Sequence, residues 1–112
     1  MVRLTDVFPD GRSMLVCDGI QRARYRESDY RPSLLEPGKV YELTVDLWAT
    51  SHLFRRGHRI RAVVNGSNFP RFDVNPGTGE SGATATTTVI AENAVYLDRA
   101  HSSHLVLPVD QA

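Results

Sequence analysis

The sequence predicts an all-β protein, a sandwich of short antiparallel strands, on three observations. Apolar and polar residues alternate with period two, most cleanly where Tyr41, Leu43, Val45 and Leu47 interleave with Glu42, Thr44 and Asp46. That spacing puts one set on each face of a strand. Turn signals rich in proline and glycine, such as Pro9-Asp10-Gly11-Arg12 and Arg55-Arg56-Gly57, punctuate the chain. No segment carries a 3.6-residue apolar stripe, so no amphipathic helix is expected.

Taken in order, Val2 to Val7 reads as a short strand, and the turn at Pro9–Arg12 folds it back into a hairpin. Ser13 to Tyr25 reads as the long returning strand, with a bulge or bend expected at Asp18-Gly19. Arg26 to Gly38 holds two prolines and no period, so it is a crossing loop pinned by Leu34-Leu35. Lys39 to Ala49 is the cleanest strand, with Trp48 near its end, and Thr50-Ser51-His52 links it to the central turn. After Gly57, which suits a positive φ, His58, Ile60, Ala62 and Val64 fall on one face of a strand and Arg59, Arg61 and Val63 on the other. Asn65-Gly66-Ser67-Asn68 ends it, and Phe69-Pro70-Arg71-Phe72 leaves the sheet, because proline cannot donate to a ladder. Asp73 to Ala83 reads as a surface loop, Thr86 to Asp98 as further strand, and Leu105 to Pro108 as the closing segment.

A chain of 112 residues bounds this to one domain with a modest core. Thirteen basic residues balance thirteen acidic ones, so no net field attracts nucleic acid or an anionic membrane, and neither partner is expected. Arginines gather at Arg22, Arg24 and Arg26 and again at Arg55, Arg56, Arg59 and Arg61; alternate spacing reads as the solvated face of strands. A single cysteine, Cys17, lies in the apolar run Met14-Leu15-Val16-Cys17 and reads as an inert, buried thiol in a reducing compartment. No apolar run approaches the ~20 residues of a membrane span, and Met1-Val2-Arg3-Leu4 lacks signal-peptide anatomy, so a soluble cytoplasmic protein is expected.

Motifs for chemistry fall short one by one. Gly77 to Thr84 has the glycine spacing of a phosphate-binding loop, but Ala83 stands where the phosphate-holding lysine belongs. Gly79-Glu80-Ser81-Gly82 approaches a nucleophile elbow with its last glycine one place early. His101 and His104 are separated by Ser102-Ser103 in a loop, with no acidic cluster to complete a zinc site. His58, opening a strand after a turn, reads as a structural hydrogen-bonding residue. No catalytic, cofactor-binding or metal-ligating residue is assigned, and no cofactor is expected.

Several stretches together are nonetheless distinctive: Leu4 to Arg12, Asp18-Gly19-Ile20, Ala23 to Glu27, Pro37-Gly38 ahead of a strand, Gly57 to Arg61, Ser67 to Asp73, Asn75 to Gly79 and Ser103 to Pro108. In this order, over nearly the whole chain, they resemble the C-terminal domain of the X-Pro dipeptidyl-peptidase/cocaine-esterase family of serine hydrolases.

The resemblance implies a jelly-roll β-sandwich of the galactose-binding-like type. It also implies a parent enzyme whose Ser-His-Asp triad sits on a separate α/β-hydrolase domain with a helical cap. None of those triad positions falls in the matched region, so no catalytic residue is carried over. The family sandwich begins before the residues that match Leu4, so residues 1–112 are expected to form a single, incomplete sandwich belonging to a larger hydrolase. Two functions follow from it. One is an accessory domain that packs against the α/β-hydrolase catalytic domain and helps shape its substrate cleft. The other is an autonomous module binding carbohydrate or another ligand, which would need exposed aromatics; Trp48, Phe69 and Phe72 are read instead as core or interface residues, with Phe69 and Phe72 assigned to packing. Missing strands would uncover Leu43, Val45, Ile60 and Val64, and self-association of the isolated chain is expected.

Overall fold

A computed structural model describes residues 1–110. The fold is all-β: β1 (Val2–Val7), β2 (Ser13–Gly19) and β3 (Arg59–Val64), with one 3-10 turn at Ala23–Tyr25. The strands form a single antiparallel sheet in the order β2-β1-β3, one layer of an incomplete sandwich.

β1 is central because both its edges are paired, and it is the most buried segment. Leu4, Thr5, Asp6 and Val7 are each at most 7% exposed. Alternation places Leu4 and Asp6 on one face and Thr5 and Val7 on the other. The hairpin closes as expected. The Phe8 N–H donates to the Arg12 carbonyl at 2.8 Å, the Gly11 N–H donates to the Phe8 carbonyl at 3.0 Å, and Asp10 accepts from the Arg12 N–H at 3.0 Å. Gly57 adopts φ +88, and the His58 N–H donates to the Arg55 carbonyl at 3.0 Å, so Arg55–His58 is a turn needing positive φ at its third residue. Beyond β3, the Asn65 N–H donates to the Met1 carbonyl at 3.0 Å and extends the pairing by one residue.

Several expectations are corrected. β2 stops at Gly19, and Arg22, Arg24 and Arg26 lie in and around the 3-10 turn instead of on a strand face. The bulge falls at Val16: Leu4 pairs with Cys17 and Thr5 with Leu15, leaving Val16 as the extra residue. Residues 39–49, 86–98 and 105–108 enter no ladder, apart from an isolated bridge between Leu97 and Ser102. Alternation makes a segment able to be a strand, but a strand also needs its backbone groups aligned with a free edge, and these segments do not align with the open outer edges of β2 and β3. In 39–49 the period survives in burial, with Tyr41, Val45 and Leu47 half-buried between exposed Glu42, Thr44 and Asp46.

The supposed core face of β3 is open: Ile60 and Val64 are 52% and 56% exposed. Leu43 is exposed too, whereas Val45 is half-buried, so the uncovering expected at these four positions is present at three. Globally, the accessible surface is 9664 Å². A compact monomer of 12.5 kDa would expose about 6,200 Å². The radius of gyration is 16.4 Å, where a compact 100-residue domain has about 13 Å. The chain therefore presents an excess on the order of 3,500 Å², within the range that permanent interfaces bury.

Candidate functional site

Three features have the geometry to act: a buried polar cluster, a groove on the opposite sheet face, and the uncovered apolar surface.

The cluster centres on Asp6. Its Oδ1 lies 2.9 Å from His58 Nδ1 and its Oδ2 lies 3.1 Å from His52 Nε2. His58 begins the approach to β3, so the Gly57 turn sets its ring against Phe8, centroid to centroid 4.3 Å. His52 meets Phe54 edge-on at 4.8 Å. Burial pushes the Asp6 carboxyl up, but hydrogen bonds from His52 and His58, backed by imidazole charge, outweigh it and hold the group below its ordinary value. His58 is thus the structural hydrogen-bonding residue the sequence suggested. Asp6 and His52 were not foreseen. The available signal was an acidic residue sharing a strand face with Leu4, a position that demands partners when buried.

The groove lies on the Thr5 face, about 490 Å³ in volume, bounded by Arg3, Asp18, Asn68, Phe69 and Arg71. Arg3 donates to Asn68 Oδ1. Arg71 Nη1 donates to both Asp18 oxygens at 2.8 and 2.7 Å, tying the 69–72 segment to the end of β2. Phe69 is 71% exposed, which corrects its reading as a packing residue, while Phe72 is half-buried. β3 ends at Val64 and Phe69 lies five residues beyond it, ahead of Pro70, so the ring follows the exiting chain and is not folded under the sheet.

Trp48, read as a core or interface residue, is 82% exposed, which leaves the interface, and sits at φ +66. A non-glycine residue in the left-handed region is costly. Asp46 Oδ1 accepts from the Trp48 N–H at 2.8 Å and supports that backbone. The Asp46 carbonyl in turn presses against Gly19, where any Cβ would collide with it. Tyr30, Leu53, Ile90, Leu97, Val106 and Val109 add to the exposed apolar surface.

The motifs weighed above are dispersed. The 77–82 loop has positive φ at Gly77 and Gly79, with no ladder strand leading in and no helix leading out. Ser81 uses its carbonyl to cap Thr84 and Ala85. His101 sits near Asp98, whose carboxyl is lowered first by the His101 backbone N–H, whereas His104 Nδ1 lies 3.0 Å from the Ser102 carbonyl. Among the described residues no three His, Cys, Asp or Glu side chains are grouped to hold a metal ion. Cys17 is half-buried, and burial, with the neighbouring Asp18 charge, pushes its thiol up, away from reactivity. Arg26 is spent within the fold, donating to the Ala23 and Ser33 carbonyls and lying 4.5 Å over the Tyr41 ring. Among the described residues no helix is long and apolar enough to cross a membrane.

Residues 1–106 match the family described as X-Pro dipeptidyl-peptidase C-terminal non-catalytic domain. Over 111 residues, 96% of the chain, it is 46% identical to cocaine esterase of Rhodococcus sp. (strain MB1 Bresler), covering 19% of that protein. A Mycobacterium bovis protein named as a serine esterase is 35% identical over 127 aligned residues, 98% of this chain and 18% of its own. A Streptomyces avermitilis protein named as a Xaa-Pro dipeptidyl-peptidase is 47% identical over 34 residues, 30% of this chain and 5% of its own. The chain thus spans about a fifth of the length of the esterases it matches.

Proposed function

The chain belongs to the X-Pro dipeptidyl-peptidase C-terminal non-catalytic domain family, and from that membership we propose that it is the accessory sandwich of a serine acyl hydrolase or X-Pro dipeptidyl-peptidase. In this reading it packs against an α/β-hydrolase catalytic domain and helps shape the substrate cleft, and it supplies no catalytic group itself. Residues 1–112 act as one domain, part of a jelly roll of the galactose-binding-like type. The observation that carries the reading is the uncovered surface, on the order of 3,500 Å² beyond a compact monomer, bearing aromatic and aliphatic side chains such as Trp48 and Leu53. Large buried aromatics are the usual anchors of such contacts. The cytoplasmic setting in this reading rests on cysteine usage, a single Cys17 in the chain.

Deleting the matching segment from a family hydrolase is the direct test. The truncated enzyme is expected to have a lower thermal midpoint and an altered KM. Unchanged midpoint and kinetics would overturn the docking role. The chain alone is expected to leave a nitrophenyl acyl ester and an X-Pro chromogenic substrate unhydrolysed above buffer. Isolated at micromolar concentration, it is expected to associate through its open face, most simply as a twofold dimer. A sharp monomer by light scattering, without dye binding, would show that the face is closed.

A second reading, carbohydrate binding by the sandwich itself, draws support from one observation: Phe69 stands exposed on the wall of the Thr5-face groove, beside Asn68 and the Asp18–Arg71 pair. Calorimetric titration with lactose tests it. Heat that disappears in Phe69→Ala would favour binding; no heat would remove this reading.

A further inference from the structure

The docking and sugar readings both leave the buried Asp6 cluster without a task. An ionised carboxylate only accepts hydrogen bonds, so both imidazoles facing it must donate. The contacts therefore require a proton on Nδ1 of His58 and on Nε2 of His52, whether the ring is neutral or charged. These two residues stand at the ends of the connector that carries the Arg55–His58 turn, so one carboxylate grips it on arrival and on departure. Between the grips lie exposed Leu53, Arg55 and Arg56. The other groups around Asp6 are apolar or already engaged. Its cross-strand partners are Met14 and Ile60, and Arg12, above the Phe8 ring, is paired with Asp10 at 2.7 Å. Arg59 belongs with Val7 in the register and Arg61 with Thr5, on the opposite face.

We propose that His52, Asp6 and His58 form a proton-operated clasp, which holds the 52–58 connector against the hairpin end while Asp6 is ionised and releases it when Asp6 takes up a proton. The added proton comes from solvent onto a carboxylate oxygen, so the hydrogen bond at that oxygen is lost; His58 Nδ1 lies 2.9 and 3.0 Å from the two oxygens, and the contact that remains is to a neutral carbonyl without the charge that strengthened it. The carboxyl is held below its ordinary value of 3.8, so the grip is complete above that value and is lost as pH falls through the lowered one. Release frees Leu53 and the arginine turn from the sheet together, so the surface offered to a partner changes with protonation of one buried group.

The test uses the 112-residue chain, with imidazole nitrogen NMR to read the tautomers and amide hydrogen exchange to read the connector. At pH 6 His58 is expected to carry its proton on Nδ1. Between pH 6 and pH 2, protection of the connector, read at the His58 amide that donates to the Arg55 carbonyl and corrected for intrinsic rate, is expected to fall at least tenfold, and by a larger factor than that of the β1–β2 amides. In Asp6→Asn the connector protection is expected to be lost already at pH 6. His52→Leu removes only the outer grip, whose ring is 35% exposed, and keeps the test decisive if Asp6→Asn does not fold. It is expected to lower connector protection about fivefold at pH 6 with the ladder intact. An Nδ1 of His58 that carries no proton at pH 6, connector protection indifferent to pH or to His52→Leu, or ladder and connector opening in step would each overturn the clasp.

Discussion

Replacing Gly19 with alanine tests the contact that positions the 45–48 segment. Gly19 is the last residue of β2, pairs with Val2, and is buried. A Cβ there would collide with the Asp46 carbonyl oxygen and stand 2.9 Å from its carbon and 3.2 Å from Val45 Cγ1. Two of the three obstacles are backbone atoms, which cannot rotate aside as the end of a long side chain can. The 45–48 segment must therefore move, and with it the Asp46–Trp48 turn. Overpacking of this kind costs about 1–3 kcal/mol. At a urea m-value of about 2 kcal/mol/M, a loss of about 2 kcal/mol lowers the midpoint by about 1 M. Gly66→Ala is the matched control, because an added Cβ there meets nothing within 4 Å and its φ is not in the left-handed region. That change is expected to stay within about ±0.5 kcal/mol or to stabilise slightly through the unfolded chain. Both variants are compared with wild type at several protein concentrations, because association shifts apparent stability. Equal midpoints for Gly19→Ala and Gly66→Ala would refute the close approach of Asp46 to β2.

At Gly57, φ +88 means that alanine costs about 1 kcal/mol and valine more, read as a lowered thermal midpoint; an unchanged Gly57→Val midpoint would refute the turn. Leu4 is 2% exposed in the centre strand, so Leu4→Ala is expected to cost about 2–5 kcal/mol in chemical unfolding, and a loss below 1 kcal/mol would mean that the sheet's core lies elsewhere. Asp6, Asp10 and Asp98 all have carboxyls held below 3.8 in the fold. The unfolded chain therefore binds more protons there, so stability is expected to fall as pH drops below about 3.8, and a urea midpoint that is flat from pH 5 to pH 2 would contradict those contacts.

How much was legible in the sequence followed the range of each interaction. The β1–β2 hairpin and the Gly57 turn rest on signals within a few residues, Pro9 to Arg12 and Arg55 to His58, and both are present as read. Segment 39–49 has the alternation of a strand, but whether it enters a ladder depends on alignment with a free edge, which local pattern does not encode. The bulge at Val16 was misplaced because it depends on the register against Leu4 and Thr5, and glycine at position 19 gave a misleading local cue. Gly19 instead makes room for a carbonyl 27 positions away in sequence. The Asp6 cluster joins residues separated by 46 and 52 positions, so only the acid on an apolar face hinted at it. The openness of Phe69 and Trp48 depends on what covers them, which their own identity as large aromatics does not reveal.

The central position of β1 also sets a timetable for synthesis. One edge of β1 is satisfied by β2, encoded immediately after it, and the other by β3, whose last residue follows the end of β2 by about 45 positions. At ribosomal speeds of about 5–20 residues per second, the hairpin waits roughly 2–9 seconds for its third strand. Throughout that interval the backbone donors and acceptors along the far side of Val2–Val7 are open to any passing strand, including that of a nascent copy on a neighbouring ribosome. Slow translation between codons 20 and 58 would lengthen the exposure, whereas a chaperone engaging the hairpin would shield it. Yield in the cell is thus tied to the tempo of the connecting stretch as well as to the strength of the finished sheet.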